Sequence, residues 1–472
     1  NGGLSQAEQT LGSGRRPLML FNPVGCERHE TVEAILWENS RNWTGPSRHI
    51  PAFSVHTPDG DTLPAQTVET GSYWGHDFSR VAFPARVGAF GYALYTITEE
   101  KTADVPARAW QLGGEHHCAY SSRERQQEGL ENDLVLVELD MTTGGIRRLV
   151  DKAGGVELIS PQHPAPVLEY AVERSHGMSA WLVDHTGPAE RPAVKSVRRK
   201  DRGPYKASLE VAWRIRSSDF TMVYELRAGD PNLYMSLSGT WFERGTPETG
   251  IPVLRLALPL ALEGAKPSYE IPFGAVERQT VAGEEVPALQ WARVTGRAGA
   301  RQAGCLLAND GKHGHSLDGG TLRVTLIHSS YDPDPLPEIG RHEMQFALRP
   351  FAASAPVSEA IHAGQCLNHA LRVVGTGVHK GSLPAVAELL TVSPKGVVLS
   401  GLKMAEDGQG LIARLFEPNG KAATATLELN PRLLGTVRRA VEVDLVERDL
   451  PVPSSRGLSS SVAVRSEERH VG

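Results

Sequence analysis

The run Leu209-Glu-Val211-Ala-Trp213-Arg-Ile215 is followed by the turn formers Ser217-Ser-Asp219, then by Phe220-Thr-Met222-Val-Tyr224-Glu-Leu226. After Asp230-Pro-Asn232 comes Leu233-Tyr-Met235-Ser-Leu237. Successive side chains of a strand point to opposite faces, so apolar residues at period two mark one dry face. Three such runs, broken by turn residues, describe an antiparallel meander. They set the fold class as all-β, several packed antiparallel β-sandwiches, since large two-sheet proteins are built this way.

The same grammar extends in both directions. Downstream, Ala303 to Asn309 is short and apolar, Asp318-Gly319 supplies a positive-φ turn, and Leu322, Val324 and Leu326 share a face. A Pro/Asp loop (Tyr331-Asp-Pro-Asp-Pro335) leads into the strand Gly340 to Pro350. Upstream, Leu134 to Asp140 turns through Thr143-Gly144-Gly145, and Leu18–Phe21, Thr31–Trp37 and Tyr92–Ile97 read as strands of a small sandwich. Beyond Pro350, Ala352 to Ser358 reads as extended, and Leu383–Glu388 and Val392–Leu402 as strand pieces. Leu411–Phe416 and Ala423–Leu429 form a hairpin across Asn419-Gly420. Val441, Val443 and Leu445 add a strand, and Val462–Val464 offers a last one. The expected domains are a tail or severed linker at 1–16, a small β-sandwich at 17–112 and a linker at 113–129. A large β-supersandwich at 130–350 and a terminal sandwich with tail at 351–472 complete them.

Composition narrows the function. A chain of 472 residues should divide into about two to four domains. A net charge of −6 argues against nucleic-acid and anionic-membrane partners. The 48 glycines and 32 prolines favour turns and short strands over long helices. Four distant cysteines (Cys26, Cys118, Cys305, Cys366) form no CxxC pair, which speaks against a zinc site of that kind and for a reducing compartment. With no apolar run of bilayer length and no basic-then-apolar leader pattern, a cytoplasmic location is expected.

Several motifs occur in a fixed order. They are Leu20-Phe-Asn22-Pro23, Leu130-Glu-Asn132-Asp133, His176-Gly-Met-Ser-Ala-Trp181 and Tyr269-Glu-Ile-Pro-Phe273, then Leu307-Ala-Asn309-Asp310-Gly-Lys312 and Gly340-Arg-His342-Glu. Together they resemble the C-terminal β-rich region of glycoside hydrolase family 38 α-mannosidases, best the bacterial and cytosolic type. The resemblance implies a mutarotase-like supersandwich, and a role beside an enzyme that hydrolyses terminal α-mannosides with retention. In that family zinc and the nucleophile and acid/base carboxylates belong to a catalytic domain ahead of the Phe-Asn-Pro segment. Nothing in this chain matches them, so no catalytic or metal residue is assigned, and the chain alone is expected to be inactive. Implied partners are that catalytic domain, mannose-containing oligosaccharides and further copies of the chain. A free-standing carbohydrate-binding protein is the alternative, and a mutarotase-like epimerase ranks behind it.

Five residues are candidates for a sugar rim: Asn309, Asp310 and Lys312, whose polar groups suit hydroxyls, and His176 with Trp181, whose aromatic face suits a pyranose. Each has a plainer account. Asn309 and Asp310 can fix their own loop by local backbone hydrogen bonds, and Trp181 reads first as a core aromatic. His313 and His315, His116 and His117, and Asp332 and Asp334 read as loop and turn residues, and Glu284-Glu285 as a solvated pair.

Overall fold

The computed structural model describes residues 14–37, 52–100, 118–121, 127–448 and 461–465, less positions 185, 279–280, 282–283, 337, 379 and 438. Strands dominate and all pair antiparallel among these residues. The chain divides into two units: residues 1–114, 356–362 and 369–472, and residues 115–355 and 363–368. No helix among the described residues is long and apolar enough to cross a membrane.

In the second unit a nine-stranded sheet holds the meander. Lys206–Ile215, Ser218–Arg227 and Leu233–Trp241 lie side by side and continue into Gly340–Ala352 and Arg301–Asn309. Leu209, Val211, Trp213, Phe220, Met222, Tyr224, Met235 and Leu237 enter one core with residues of two five-stranded sheets, the layering of a supersandwich. The first turn is tighter than expected. Ile215 pairs with Ser218, and Arg216 takes φ 53°, so two residues suffice. The Thr143-Gly144-Gly145 turn locks the layers together, because Trp213 Nε1 donates to the Thr143 carbonyl at 3.0 Å. Part of the stretch read as a linker is strand: Cys118–Ser121 pairs with Gln127–Asn132. An edge strand draws on backbone pairing and needs no apolar period.

In the first unit, a six-stranded sheet and the three-stranded sheet of Arg28–Trp37, His76–Val87 and Gln66–Tyr73 enclose Leu18, Leu20, Phe53, Val55, Val81 and Phe83. Arg15–Phe21 pairs on one side with Tyr92–Glu100 and on the other with Arg372–Gly375 from near the chain's far end.

Three C-terminal expectations are corrected. Asn419-Gly420 joins no hairpin. Leu411–Phe416 pairs with Val398–Met404, and Thr424–Leu429 with Leu390–Ser393 and Ser461–Arg465. The Asn419 side chain instead accepts from the Val357 amide at 2.8 Å and donates to Glu417. Val441 to Leu445 forms no strand, because Asp444 turns the backbone by accepting from the amides of Val446 and Arg448. Val357 and Ser358 begin a helix, Val357–Asn368, rather than an extended crossing.

Candidate functional site

Strand Val167–Glu173 pairs with Ile251–Pro259, which pairs in turn with Thr321–His328. Glu173 lies opposite Ile251 and His328 opposite Val253, so the two end residues reach the same face two positions apart. Glu173 is 0% exposed. One carboxylate oxygen accepts from His328 Nε2 at 2.7 Å, and the other accepts from His176 Nε2 and the Asp184 amide, each at 2.7 Å. A carboxylate only accepts, so both imidazoles present an N–H to it. His176 Nδ1 faces the Gly177 carbonyl at 2.8 Å, another acceptor, so the His176 ring carries both protons and is cationic. Its pKa is raised, first by the Glu173 hydrogen bond and then by the Gly177 carbonyl. Burial by itself raises the Glu173 carboxyl. Donors from His328, Asp184 and His176 outweigh it and hold the group below its usual range.

This clamp closes the loop 174–184, and the Tyr331–Asp332 segment ties down its middle. Tyr331 Oη donates to the His176 carbonyl at 2.7 Å, and Asp332 Oδ2 accepts from the Met178 amide at 2.7 Å. The buried Ser179 hydroxyl accepts from the amides of Tyr331 and Asp332, both at 3.1 Å. Beneath them Ser329 accepts from the buried Trp241 indole at 2.6 Å. A loop so tethered still exposes Met178, Trp181, Leu182 and Val183, with Trp181 68% exposed. Trp181 is therefore no core residue, contrary to its first reading. A tethered loop that shows apolar side chains to water is a candidate interaction surface.

The other rim candidates lie elsewhere and behave differently. Asn309 is 0% exposed, and its Oδ1 accepts from the amides of Gly311 and Lys312 at 2.9 and 2.7 Å. Its backbone amide donates to the Gln290 carbonyl, and its carbonyl accepts from Asn368. Asn309 thus has no free group for a sugar and acts as the knot of its loop. The side chains of Asp310 and Lys312 make no hydrogen bond or ion pair among the described residues, and none joins them to His176 or Trp181. His315 is buried and held near pKa 4 by burial, hence neutral, and His313 Nδ1 meets the Ala288 carbonyl at 3.0 Å. Asp334 is a turn residue as read, accepting from the Leu336 amide. Glu285 is not solvated: it accepts from Thr325 and lies 3.7 Å from Arg255. His116 and His117 lie outside the described residues. Sequence reasoning missed Glu173 and His328. The one local signal was the Glu173/His176 spacing, and His328 is 155 residues further on.

Fold and site together define an all-β region in which a buried carboxylate fixes the 174–184 loop. Residues 130–336 match the glycosyl hydrolases family 38 C-terminal domain, and residues 396–466 the glycosyl hydrolases family 38 C-terminal beta sandwich domain. The chain belongs to this family, as its C-terminal region. It is 25% identical over 409 residues to human alpha-mannosidase 2C1, covering 83% of this chain and 37% of that protein. To the alpha-mannosidase of Saccharomyces cerevisiae it is 23% identical, covering 72% of this chain and 33% of that one. The chain thus spans about a third of the length of these curated relatives. The crystal structure of an alpha-mannosidase from Enterococcus faecalis shares the fold, with a TM-score of 0.71 at 13% identity over 95% of this chain and 56% of that one.

Proposed function

We propose that this chain is the non-catalytic β-rich part of an α-mannosidase, and that its 174–184 loop docks on the catalytic portion and borders the sugar site. The observation that carries this reading is the exposed Trp181 and its apolar neighbours on a loop that the Glu173 clamp holds rigid. The parent reaction would be retaining hydrolysis of terminal α-mannosides, which needs two carboxyls on one scissile bond. Zinc, if the reaction uses it, would be held by the partner. Among the described residues no three His, Cys, Asp or Glu side chains come together to hold a metal ion. Glu173, His176 and His328 spend their facing atoms on one another.

The test is co-expression with the polypeptide encoded immediately upstream. The complex should cleave an aryl α-mannoside, while this chain purified alone with zinc should not. Trp181→Ala should weaken the association at least tenfold without lowering the melting temperature. Turnover by the single chain, or an association indifferent to Trp181→Ala, would overturn the reading.

A further inference from the structure

The three-stranded sheet of the first unit turns one face to the core and the other outward. On the outer face Trp37 pairs across strands with Phe78, their rings 5.3 Å apart. Phe78 lies opposite Gly71, where any Cβ would collide with its ring. Tyr73, two residues on and so on the same face, meets Trp74 with rings 6.3 Å apart. Trp74 and Gly75 form the two-residue turn between the paired Tyr73 and His76, at φ 53° and 82°. That turn selects Asn, Asp or Gly, and a bulky aromatic at positive φ is strained. Packing does not repay the strain, because Trp74 is 86% exposed, against 64% for Tyr73 and 44% for Trp37. On the same face Arg80 donates to Glu69 at 3.0 Å and stands 3.6 Å from Glu33.

We propose that this face is a carbohydrate-binding site for a neutral oligosaccharide, with Tyr73 and Trp74 stacking on the C–H face of one pyranose and the Arg80–Glu69 pair, two cross-strand positions further along the same face, meeting the hydroxyls of another sugar unit. Two arguments choose that ligand. The guanidinium is already matched by carboxylates, so the face does not call for an anion. The exposed rings are too small a patch to hold a second copy of the chain by themselves. An aromatic side chain offers roughly 150–250 Å², so at these exposures three rings give about 300–500 Å². A stable protein interface takes roughly 800 Å² from each partner. The site belongs to the first unit and is independent of the loop proposed above.

The full chain is titrated calorimetrically with α-mannotriose, maltotriose and cellotriose. Saturable millimolar binding of at least one is expected, weakened at least tenfold by Tyr73→Ala and by Trp74→Asn. Asparagine suits the turn, so Trp74→Asn keeps its melting temperature and lost binding cannot be read as lost folding. Leu445→Ala, at an exposed side chain outside both proposed sites, leaves the affinity unchanged. Heat of dilution alone with all three sugars overturns the proposal. So does binding that survives Trp74→Asn, or a wild-type dimer in sedimentation that Trp74→Asn dissolves.

Discussion

Replacing Glu173 with Gln tests whether a buried charge organises the 174–184 loop. The carboxylate meets three donors on two oxygens, and one of them belongs to a cationic His176. Glutamine keeps one oxygen and turns an NH₂ toward a donor, so at least one hydrogen bond becomes a donor–donor contact and His176 loses its counter-charge. Removing one member of a buried pair costs about 3–5 kcal/mol. At about 2–4 °C per kcal/mol for a unit of this size, the midpoint should fall by about 6–20 °C. The pH profile carries the same signature. The folded carboxyl sits below its ordinary 4.5, so its contribution is full above 4.5 and fades as pH falls through the depressed value. The folded His176 sits above its ordinary 6.5, so its contribution is full below 6.5 and is lost as pH rises through the raised value. Between those two limits the clamp contributes most, and Glu173→Gln should flatten the profile on both sides. Differential scanning calorimetry across pH measures it, with hydrogen exchange at residues 176–184 as the local readout. A midpoint within 1 °C of wild type and unchanged exchange would refute the reasoning.

Asn309→Ala removes the acceptor for two buried-loop amides and should cost about 1–3 kcal/mol in urea unfolding, with sugar affinity untouched. Lost sugar affinity in a still-folded variant would return Asn309 to the rim. Gly144→Ala must hold φ 69° and drive a Cβ into Val211 and Trp213, so a loss of about 2–5 kcal/mol is expected; a neutral result would mean the layers part easily there. Burial pushes the Cys305 thiol up to about 12, so iodoacetamide at pH 8 should modify it only after unfolding. Native labelling as fast as that of Cys26 would show the core to be open there.

What the sequence made legible follows from the range of the forces involved. Alternation is written in neighbouring residues, so Leu209, Val211, Trp213 and their successors announced both the strands and the buried face that the nine-stranded sheet confirms. Asp318-Gly319 likewise announced a turn, which Gly319 and Gly320 make at φ 56° and 76°. Strand partners are another matter. Asn419-Gly420 carries the local chemistry of a hairpin, yet Leu411–Phe416 and Thr424–Leu429 each pair with other strands. The helix Val357–Asn368 did leave a trace in Val357, Ala360, Ile361 and Gly364, spaced i, i+3, i+4 and i+7, which a reading tuned to period two passes over.

The candidate site shows the same limit more sharply. His176 and Trp181 were legible because they share one motif, but what makes them useful is not in it. Their loop stays put because Glu173 is sealed at a strand end and His328 arrives through a second strand that pairs with the same neighbour, Ile251–Pro259. Sealing a carboxylate costs several kcal/mol unless donors meet both oxygens, and here three do. An apolar contact would hold the strands together at lower cost. A charge-assisted clamp adds direction, since it fixes where the chain leaves the sheet and therefore which way Trp181 faces. Asn309 works on the same principle without charge, its Oδ1 holding the loop at Gly311 and Lys312 while its backbone ties it to Gln290 and Asn368. The difference between them is what the loop then shows to water: at Asp310 and Lys312 solvated polar groups, at Met178 to Val183 an apolar face.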